Sequence, residues 1–377
     1  MARPVMSLND ALRTPAHGSR LMRSAKIRAE GDRSAVARLT LVILVGLSLI
    51  ALALSIATGA SDASALRVIG ALLGGTEDTV LSMRDRIIVL DIRMPRALLG
   101  FLIGAALAMS GAVMQGLFRN PLADPGLVGI SSGSALGAVL MIVLGTSMPA
   151  GLMASLGAFT LPAAAFVGGL LTTLLLYRIA TRGGQTSVAT MLLAGIAISA
   201  LTGAVTGILI YMADDKQLRD ITFWGLGSLS GMTWAKVAAA APIILLALVV
   251  VPFLSRGLNA ITLGEAAAFH MGVKVQRLKY TAIVAVAGAV GASVAVSGGI
   301  GFVGIVVPHL LRLVIGPDHR YLLPASALLG GVLLLGADML ARTIVAPAEV
   351  PIGIITALAG APFFLWVLLR HRGRDSW

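Results

Sequence analysis

Apolar runs of about 20 residues recur along the chain between short polar segments, and this pattern limits the fold more than any other feature. A helix of that length crosses the hydrocarbon core of a bilayer. Only 12% of the residues are charged, against roughly 25% in a soluble domain, so the chain has few polar side chains with which to cover a water-soluble core. The sequence therefore predicts an all-α, polytopic membrane protein.

Ten transmembrane helices are predicted from these runs. The chain then divides into a basic tail over residues 1–35, a ten-helix domain over residues 36–369 and a short tail over residues 370–377. A cleaved signal peptide is the competing interpretation of the first run, but its 23 residues exceed the apolar stretch of such peptides, and we expect it to be retained. The predicted spans are Val36–Thr58, Pro95–Leu117, Leu127–Leu144, Leu156–Tyr177, Ser187–Tyr211, Trp234–Leu254, Tyr280–Val296, Ile300–Ile315, Tyr321–Leu340 and Pro351–Leu369.

The positive charges are distributed unevenly between the two sides that ten spans define. If the N-terminus is inside, 20 of the 29 lysines and arginines fall in internal segments. This bias follows the positive-inside rule and predicts that both termini lie in the cytoplasm. It also accounts for the net charge of +12, so we expect no nucleic-acid partner.

Matching strings in the two halves of the chain predict an inverted repeat of helices 2–5 and 7–10. Residues 104–111 on the second span (GAALAMSG) resemble residues 291–298 on the seventh (GASVAVSG). Residues 161–163 on the fourth span match residues 323–325 on the ninth, both reading Leu-Pro-Ala. Each pair lies five spans apart, and an odd separation inverts the second copy in the membrane. Chance matching of glycine- and alanine-rich strings is the alternative.

The usual sequence patterns of catalysis, ATP binding and metal binding are missing. The chain has no cysteine, no G-x-x-x-x-G-K-[ST] loop and no histidines at a metal-binding spacing. We therefore predict no catalytic, cofactor or metal site, and we expect the chain not to be an enzyme. Asp338 is the one clear carboxylate inside a predicted span. It is either a functional group or the ion-pair partner of Arg342, four residues further on.

The segment from Gly111 to Gly129 contains Pro121 and Pro125, which cannot continue the second span as a helix. A break is predicted there, with its polar backbone groups buried or hydrated. This segment closely resembles the permease family of bacterial importers for iron siderophores, haem and cobalamin. The resemblance runs from Val36 to Leu369. Further strings that carry it are residues 91–96, 302–312, 318–320 and 349–353.

This resemblance implies a homodimer in the lipid of the bacterial inner membrane, with the substrate pathway along its two-fold axis. It also implies two cytoplasmic ATP-binding-cassette subunits, which would hold the ATP and magnesium, and a periplasmic protein that delivers substrate. The predicted function is an importer permease for haem or a related iron chelate. A siderophore or cobalamin importer is the alternative within the family. An ion-coupled secondary transporter, the alternative outside it, would need a mid-membrane carboxylate cluster that the sequence does not indicate.

The loop around Glu265 is interpreted as the coupling helix of this family. It begins with a carboxylate, which a helix N-terminus favours, and it ends at a glycine that can terminate a short helix. The resemblance implies that it inserts into a groove of the ATPase, whereas an ordinary surface helix is the alternative. We expect Glu265 to have no role in the core. The predicted coupling residues are Gly264, Glu265, Ala266, His270 and Gly272.

Arg93, Arg96 and Arg342 are predicted to dock the external binding protein. All three lie at outer ends of predicted spans, and the resemblance implies that they meet carboxylates of that protein. The alternative is interfacial anchoring, in which the charged head stays in water and the stem covers apolar surface. Residues 214–224 are similar to the corresponding stretch of haem permeases, although an interfacial helix anchored by Trp224 would suit any substrate.

Overall fold

The apolar runs fold into helices because a helix satisfies its own backbone hydrogen bonds, as a bilayer requires. The computed structural model of the chain describes residues 33–59, 83–148, 151, 155–183 and 185–372. The predicted tails therefore lie almost wholly outside the described residues. Two short strands, β1 (Thr181–Arg182) and β2 (Gln185–Thr186), pair antiparallel. The helices are α1 (Ser34–Ala57), α2 (Met83–Arg86), α3 (Met94–Phe118), α4 (Ile130–Leu144), α5 (Thr160–Ala180), α6 (Val188–Met212), α7 (Asp215–Gly225), α8 (Trp234–Val250), α9 (Ser255–Thr262), α10 (Glu265–His270), α11 (Val275–Ser297), α12 (Val303–Ile315), α13 (His319–Thr343) and α14 (Ile352–Arg372).

Ten apolar helices in the described part of the chain correspond to the ten predicted spans. Seven helical stretches are long and apolar enough to cross a membrane; they contain α1, α3, α5, α6, α8 with α9, α11 and α13. The shorter apolar helices α4, α12 and α14 occupy the three remaining places. The prediction of an all-α polytopic fold is therefore confirmed.

Helix α3 forms the centre of the bundle, where it packs against α13 and also contacts α11 and α12. Nearly every residue from Pro95 to Phe118 is buried. Two glycines allow this close packing, because a side chain on Gly104 would collide with the carbonyl oxygen of Gly330 and one on Gly111 with that of Gly304. A polar residue near either end of α3 is therefore surrounded by protein.

The predicted break after α3 is present. The helix ends at Phe118, Arg119 adopts a left-handed backbone conformation with φ of 50°, and a short 3-10 helix follows over Pro125–Val128. The side chain of Asp124 caps that turn by accepting a hydrogen bond from the Gly126 N–H at 2.7 Å.

The matched strings of the predicted repeat occupy similar helices but not the same positions in them. Residues 104–111 lie inside α3, which continues to Phe118, whereas residues 291–298 finish α11, which ends at Ser297. The two Leu-Pro-Ala strings both lie near the beginning of a helix, α5 in one case and α13 in the other. The inverted repeat itself stays a prediction.

Candidate functional site

The three arginines predicted to dock a partner lie together at one end of the bundle, and they are buried. Arg93 belongs to a π-helical turn over Ile87–Arg93, Arg96 to the first turn of α3, and Arg342 to the last turn of α13. They are only 4%, 7% and 5% exposed, respectively. A buried guanidinium group needs partners within the protein, because desolvation without them is costly.

Arg96 uses the fork of its guanidinium group to hold two carboxylates at once. Its Nη2 lies 2.9 Å from Oδ1 of Asp338, and its Nε donates to the same oxygen at 3.1 Å. Its Nη1 donates to Oε1 of Glu349 at 2.7 Å, and Nη2 also donates to Oε2 at 3.0 Å. Such bidentate contacts fix the orientation of both partners as well as their charge.

Asp338 is fully buried and is shared between two arginines. Its Oδ2 lies 3.1 Å from Nε of Arg342, one turn further along α13. The interpretation of Asp338 as an ion-pair partner of Arg342 is therefore confirmed, and Arg96 is a second partner that no local sequence pattern predicts. We refer to Arg96, Asp338, Arg342 and Glu349 as the Arg96 network.

Arg342 and Arg93 also cap the C-terminal end of α1 by donating hydrogen bonds to its last carbonyl oxygens. Arg342 donates from Nη1 to the Thr58 carbonyl at 3.1 Å and from Nη2 to that of Ser55 at 3.3 Å, while Arg93 Nη1 donates to the Ala57 carbonyl at 3.0 Å. The last carbonyls of a helix have no partner within it and carry partial negative charge, so cations bind there favourably. The network therefore joins α1, α3 and α13.

These contacts correct one of the sequence-based alternatives. Interfacial anchoring with the charged heads in water is wrong, because the three guanidinium groups are bonded to protein atoms. Docking of a binding protein stays a prediction.

The network also includes Glu349, which the sequence marks only as the first residue of a string similar to the permease family. Burial raises the pKa of its carboxyl, but the hydrogen bonds from Arg96 and the positive charges of Arg96 and Arg342 together outweigh burial and bring the pKa below the ordinary value of 4.5.

The loop around Glu265 forms the short helix α10, bracketed by glycines. Gly264 before it and Gly272 after it have φ of 111° and 83°, which side chains other than glycine rarely adopt. Three large apolar side chains at this helix, Leu263, Phe269 and Met271, are more than half exposed. A local helix at this place is therefore confirmed, and it presents apolar surface that no described part of the chain covers.

Glu265 contacts the core, contrary to the prediction. Its Oε1 lies 2.7 Å from Nζ of Lys279, whose side chain is almost completely buried. The same ammonium group donates to the carbonyl oxygen of Thr186 at 2.8 Å. We refer to Lys279, Glu265 and Thr186 as the Lys279 junction. Lys279 could not be found from the sequence. It lies close to Lys274 and Arg277 at the beginning of a helix, and lysines in such a basic segment are normally exposed to solvent.

A second polar contact lies beside α10. Asn259 on α9 donates to Oδ1 of Asp318 at 2.7 Å, and its own Oδ1 accepts from the backbone N–H of His319 at 2.9 Å. Burial raises the pKa of Asp318, but the hydrogen bonds from Arg320 and Asn259 and the charge of Arg320 together outweigh burial, so the pKa lies below the ordinary 3.8. Asn259 thus holds α9 against the beginning of α13.

The Arg96 network and the Lys279 junction lie at opposite ends of the bundle. Arg96 is in the first turn of α3, whereas Gly116 is in its last turn and lies against the ring of His319. His319 is bonded to Asn259, which lies on α9 shortly before α10. Helices α9 and α10 are therefore at the far end of α3 from the network.

The stretch similar to haem permeases forms α7, which begins with a capping box between Asp214 and Gln217. Trp224 near its end is half-buried and packs against Ala138, Ala165 and Ala295, whereas Phe223 beside it is exposed. The interfacial helix anchored by Trp224 stays an alternative to a role of this stretch in substrate choice.

Comparison with known proteins assigns this arrangement to a class. Residues 46–370 match the model of the FecCD transport family, so the chain belongs to that family. The chain is 49% identical over 287 residues, 76% of its length and 84% of the relative's, to the hemin transport system permease protein HmuU of Yersinia pestis. It is 46% identical over 287 residues, again 76% of its length and 74% of the relative's, to the cobalamin import system permease protein BtuC of Halobacterium salinarum.

A solved structure supports the same class. It is an inward-facing ABC transporter assigned to the metal-chelate type, and it aligns with a TM-score of 0.75 at 32% identity. The alignment covers 88% of this chain and 98% of that one. The chain is therefore the membrane permease of an ABC importer, and its helices belong to a transport subunit.

Proposed function

We propose that this permease carries haem across the inner membrane into the cytoplasm. The observation that carries the proposal is the 49% identity over 287 residues to a permease named for hemin transport. The 46% identity to a cobalamin permease makes cobalamin the alternative substrate, because the two values are close. A related iron chelate such as a ferric siderophore is the remaining candidate within the family.

Substrate uptake by reconstituted vesicles decides between these substrates. The purified permease, its ATPase and its binding protein are placed in liposomes, and uptake of haem, cobalamin and a ferric siderophore is measured with and without ATP inside. We expect ATP-dependent uptake of haem alone. Uptake of cobalamin or the siderophore but not of haem would show that haem is not the substrate, although the chain would still be an importer permease.

We propose that two copies of this chain assemble with two separate ATPase subunits, which hold the ATP and magnesium. Helix α10 is the proposed docking element, with Gly264, Glu265, Ala266, His270 and Gly272 as its residues. The exposed side chains of Leu263, Phe269 and Met271 support this, because a partner's groove would cover them. Phe269→Ala should weaken co-purification of the ATPase, while Phe223→Ala on α7 serves as a matched exposed control.

In the proposed topology both termini and α10 face the cytoplasm, and α7 faces the periplasm. The absence of cysteine allows a simple test, because a single introduced cysteine is the only one in the chain. An impermeant maleimide applied to intact spheroplasts should label Asp215→Cys on α7 but not Ala266→Cys on α10. In permeabilised cells the maleimide should label both cysteines. Labelling of Ala266→Cys in intact spheroplasts would reverse the topology.

Docking of a periplasmic binding protein by Arg93, Arg96 and Arg342 remains a proposal, supported by their position at the end that would face the periplasm. Charge reversal at Arg93 and Arg342 together should slow complex formation more than neutral Gln variants do, and the wild-type contact should weaken with salt. Thermal unfolding identifies variants that fail for structural reasons. Wild-type binding by a folded reversed variant at low salt would exclude docking.

A further inference from the structure

Lys279 is the most deeply buried charged group at the α10 end of the described bundle. It lies in the second turn of α11 and is only 1% exposed, yet its ammonium group has two protein partners. One is the Glu265 carboxylate on α10, and the other is the Thr186 carbonyl on β2. A buried ammonium group is costly without partners, so both contacts restrict where the attached elements can lie.

Thr186 is held at both of its backbone groups by α11. Its N–H donates to Oε1 of Gln276 at 3.0 Å, while its carbonyl accepts from Lys279 at 2.8 Å. The next residue, Ser187, is the N-cap of α6, and its hydroxyl accepts from the Thr190 N–H at 3.3 Å. Because Thr186 directly precedes the cap, whatever fixes Thr186 also fixes the beginning of α6.

We propose that Lys279 is a positioning residue that makes α10 and the beginning of α6 move as one unit. The inference rests on the proposed function, in which α10 meets the ATPase. If α10 is displaced alone, Lys279 loses either Glu265 or Thr186 and a buried charge is left half-paired, so a joint displacement is favoured. Movement of α10 is thereby passed to α6, a span of 25 residues that runs the length of the bundle.

The Asn259 contact gives this unit a second attachment. Helix α9 is separated from α10 by only Leu263 and Gly264, and Asn259 ties it to the beginning of α13. In the Asn259 contact only the Asp318 carboxylate is charged, whereas Lys279 and Glu265 are both charged and the ammonium group is buried, so the contact of Lys279 is the stronger one. Displacement of α10 is therefore transmitted chiefly towards α6.

Spin-label distances test whether the two elements move together. The chain has no cysteine, so labels can be placed at Ala189→Cys, an exposed site in the first turn of α6, and at Ala267→Cys, a half-buried site on α10 that is not among the proposed docking residues. Doubly labelled subunits are diluted with unlabelled ones in the full complex, whose ATPase is made cysteine-free. Distances are recorded without nucleotide and with a non-hydrolysable ATP analogue. We expect the same narrow distance in both states, and in Lys279→Met a broader one that changes with nucleotide.

Transport per ATP hydrolysed supplies an independent readout. Lys279→Met should lower it about fivefold while ATP hydrolysis continues, since mutations of coupling residues commonly shift the coupling by that amount. Glu265→Gln, which keeps a hydrogen-bond acceptor, is the second variant if Lys279→Met folds poorly, and it should show a smaller loss in the same direction. Lys274→Met, an exposed lysine at the start of the same helix, is the matched control.

Three results would overturn the inference. They are wild-type transport efficiency in a folded Lys279→Met, an equal loss in Lys274→Met, and a wild-type distance that changes with nucleotide as much as the variant's does. Failure of the proposed function is recognised separately, because the wild-type permease would then not bind the ATPase. In that case the distance distribution is compared between the isolated wild-type permease and isolated Lys279→Met. A broader distribution in the variant would still show that Lys279 holds α10 and the beginning of α6 together.

Discussion

The two ends of the bundle solve the same problem of buried charge in different ways. The Arg96 network uses planar guanidinium forks, and Asp338 is contacted by two of them. The Lys279 junction uses a single ammonium group, and one of its partners, Glu265, is 41% exposed at its side chain. A guanidinium fork fixes its partners in one geometry, whereas an ammonium group is a point charge on a flexible stem whose donors can rotate.

This difference suits the two ends to different tasks. The network ties the end of α1 to α3 and α13 through many simultaneous contacts, which favours a fixed arrangement. The junction joins α10 to the beginning of α6 through the single ammonium nitrogen of Lys279, so the two elements stay together although few contacts fix them to the rest of the bundle.

Asp338→Ala should have the largest effect, because it leaves two buried guanidinium groups without their shared carboxylate. We expect a loss of about 3 to 5 kcal/mol in the free energy of unfolding, as for other broken buried ion pairs. Chemical unfolding of the purified permease in detergent measures it. The exposed Asp215→Ala should change stability by less than about 0.5 kcal/mol. A similarly small effect of Asp338→Ala would mean that the network does not stabilise this end.

Glu265→Ala should have an intermediate effect on stability. Lys279 keeps the Thr186 carbonyl, and water can reach the half-exposed site that Glu265 leaves, so we expect a loss of about 1.5 to 3 kcal/mol, the usual value of one charged hydrogen bond. The same unfolding measurement applies, with the exposed Lys274→Ala as control. A loss equal to that of Asp338→Ala would remove the contrast between the two ends.

Glu349→Gln should show the smallest effect, visible as a change in pH dependence. The folded pKa of Glu349 lies below its ordinary 4.5, so its contribution to stability is present above pH 4.5 and is lost as the pH falls through the folded pKa. The variant lacks this contribution, and its unfolding midpoint should fall less steeply with acid below pH 4.5. Parallel profiles for wild type and variant would show that Glu349 adds nothing to the network.

Much of the fold was predictable because bilayer insertion is encoded locally. The ten apolar runs, the break at Pro121 and Pro125, and the short helix after Gly264 each follow from residues within one stretch of chain. The Asp338 and Arg342 pair was predictable for the same reason, since four residues along a helix bring side chains to one face.

The partners of the other buried charges were decided only by the tertiary structure. Arg96 and Asp338 are 242 positions apart in sequence, and Lys279 and Thr186 are 93 apart. Nothing local distinguishes Lys279 from the exposed Lys274, or a buried arginine at a helix end from one that reaches water. Sequence by itself determined which segments enter the membrane, because hydropathy is a property of each segment. Packing determined which charges meet, because a buried charge is stable only where distant helices bring its partners within hydrogen-bonding distance.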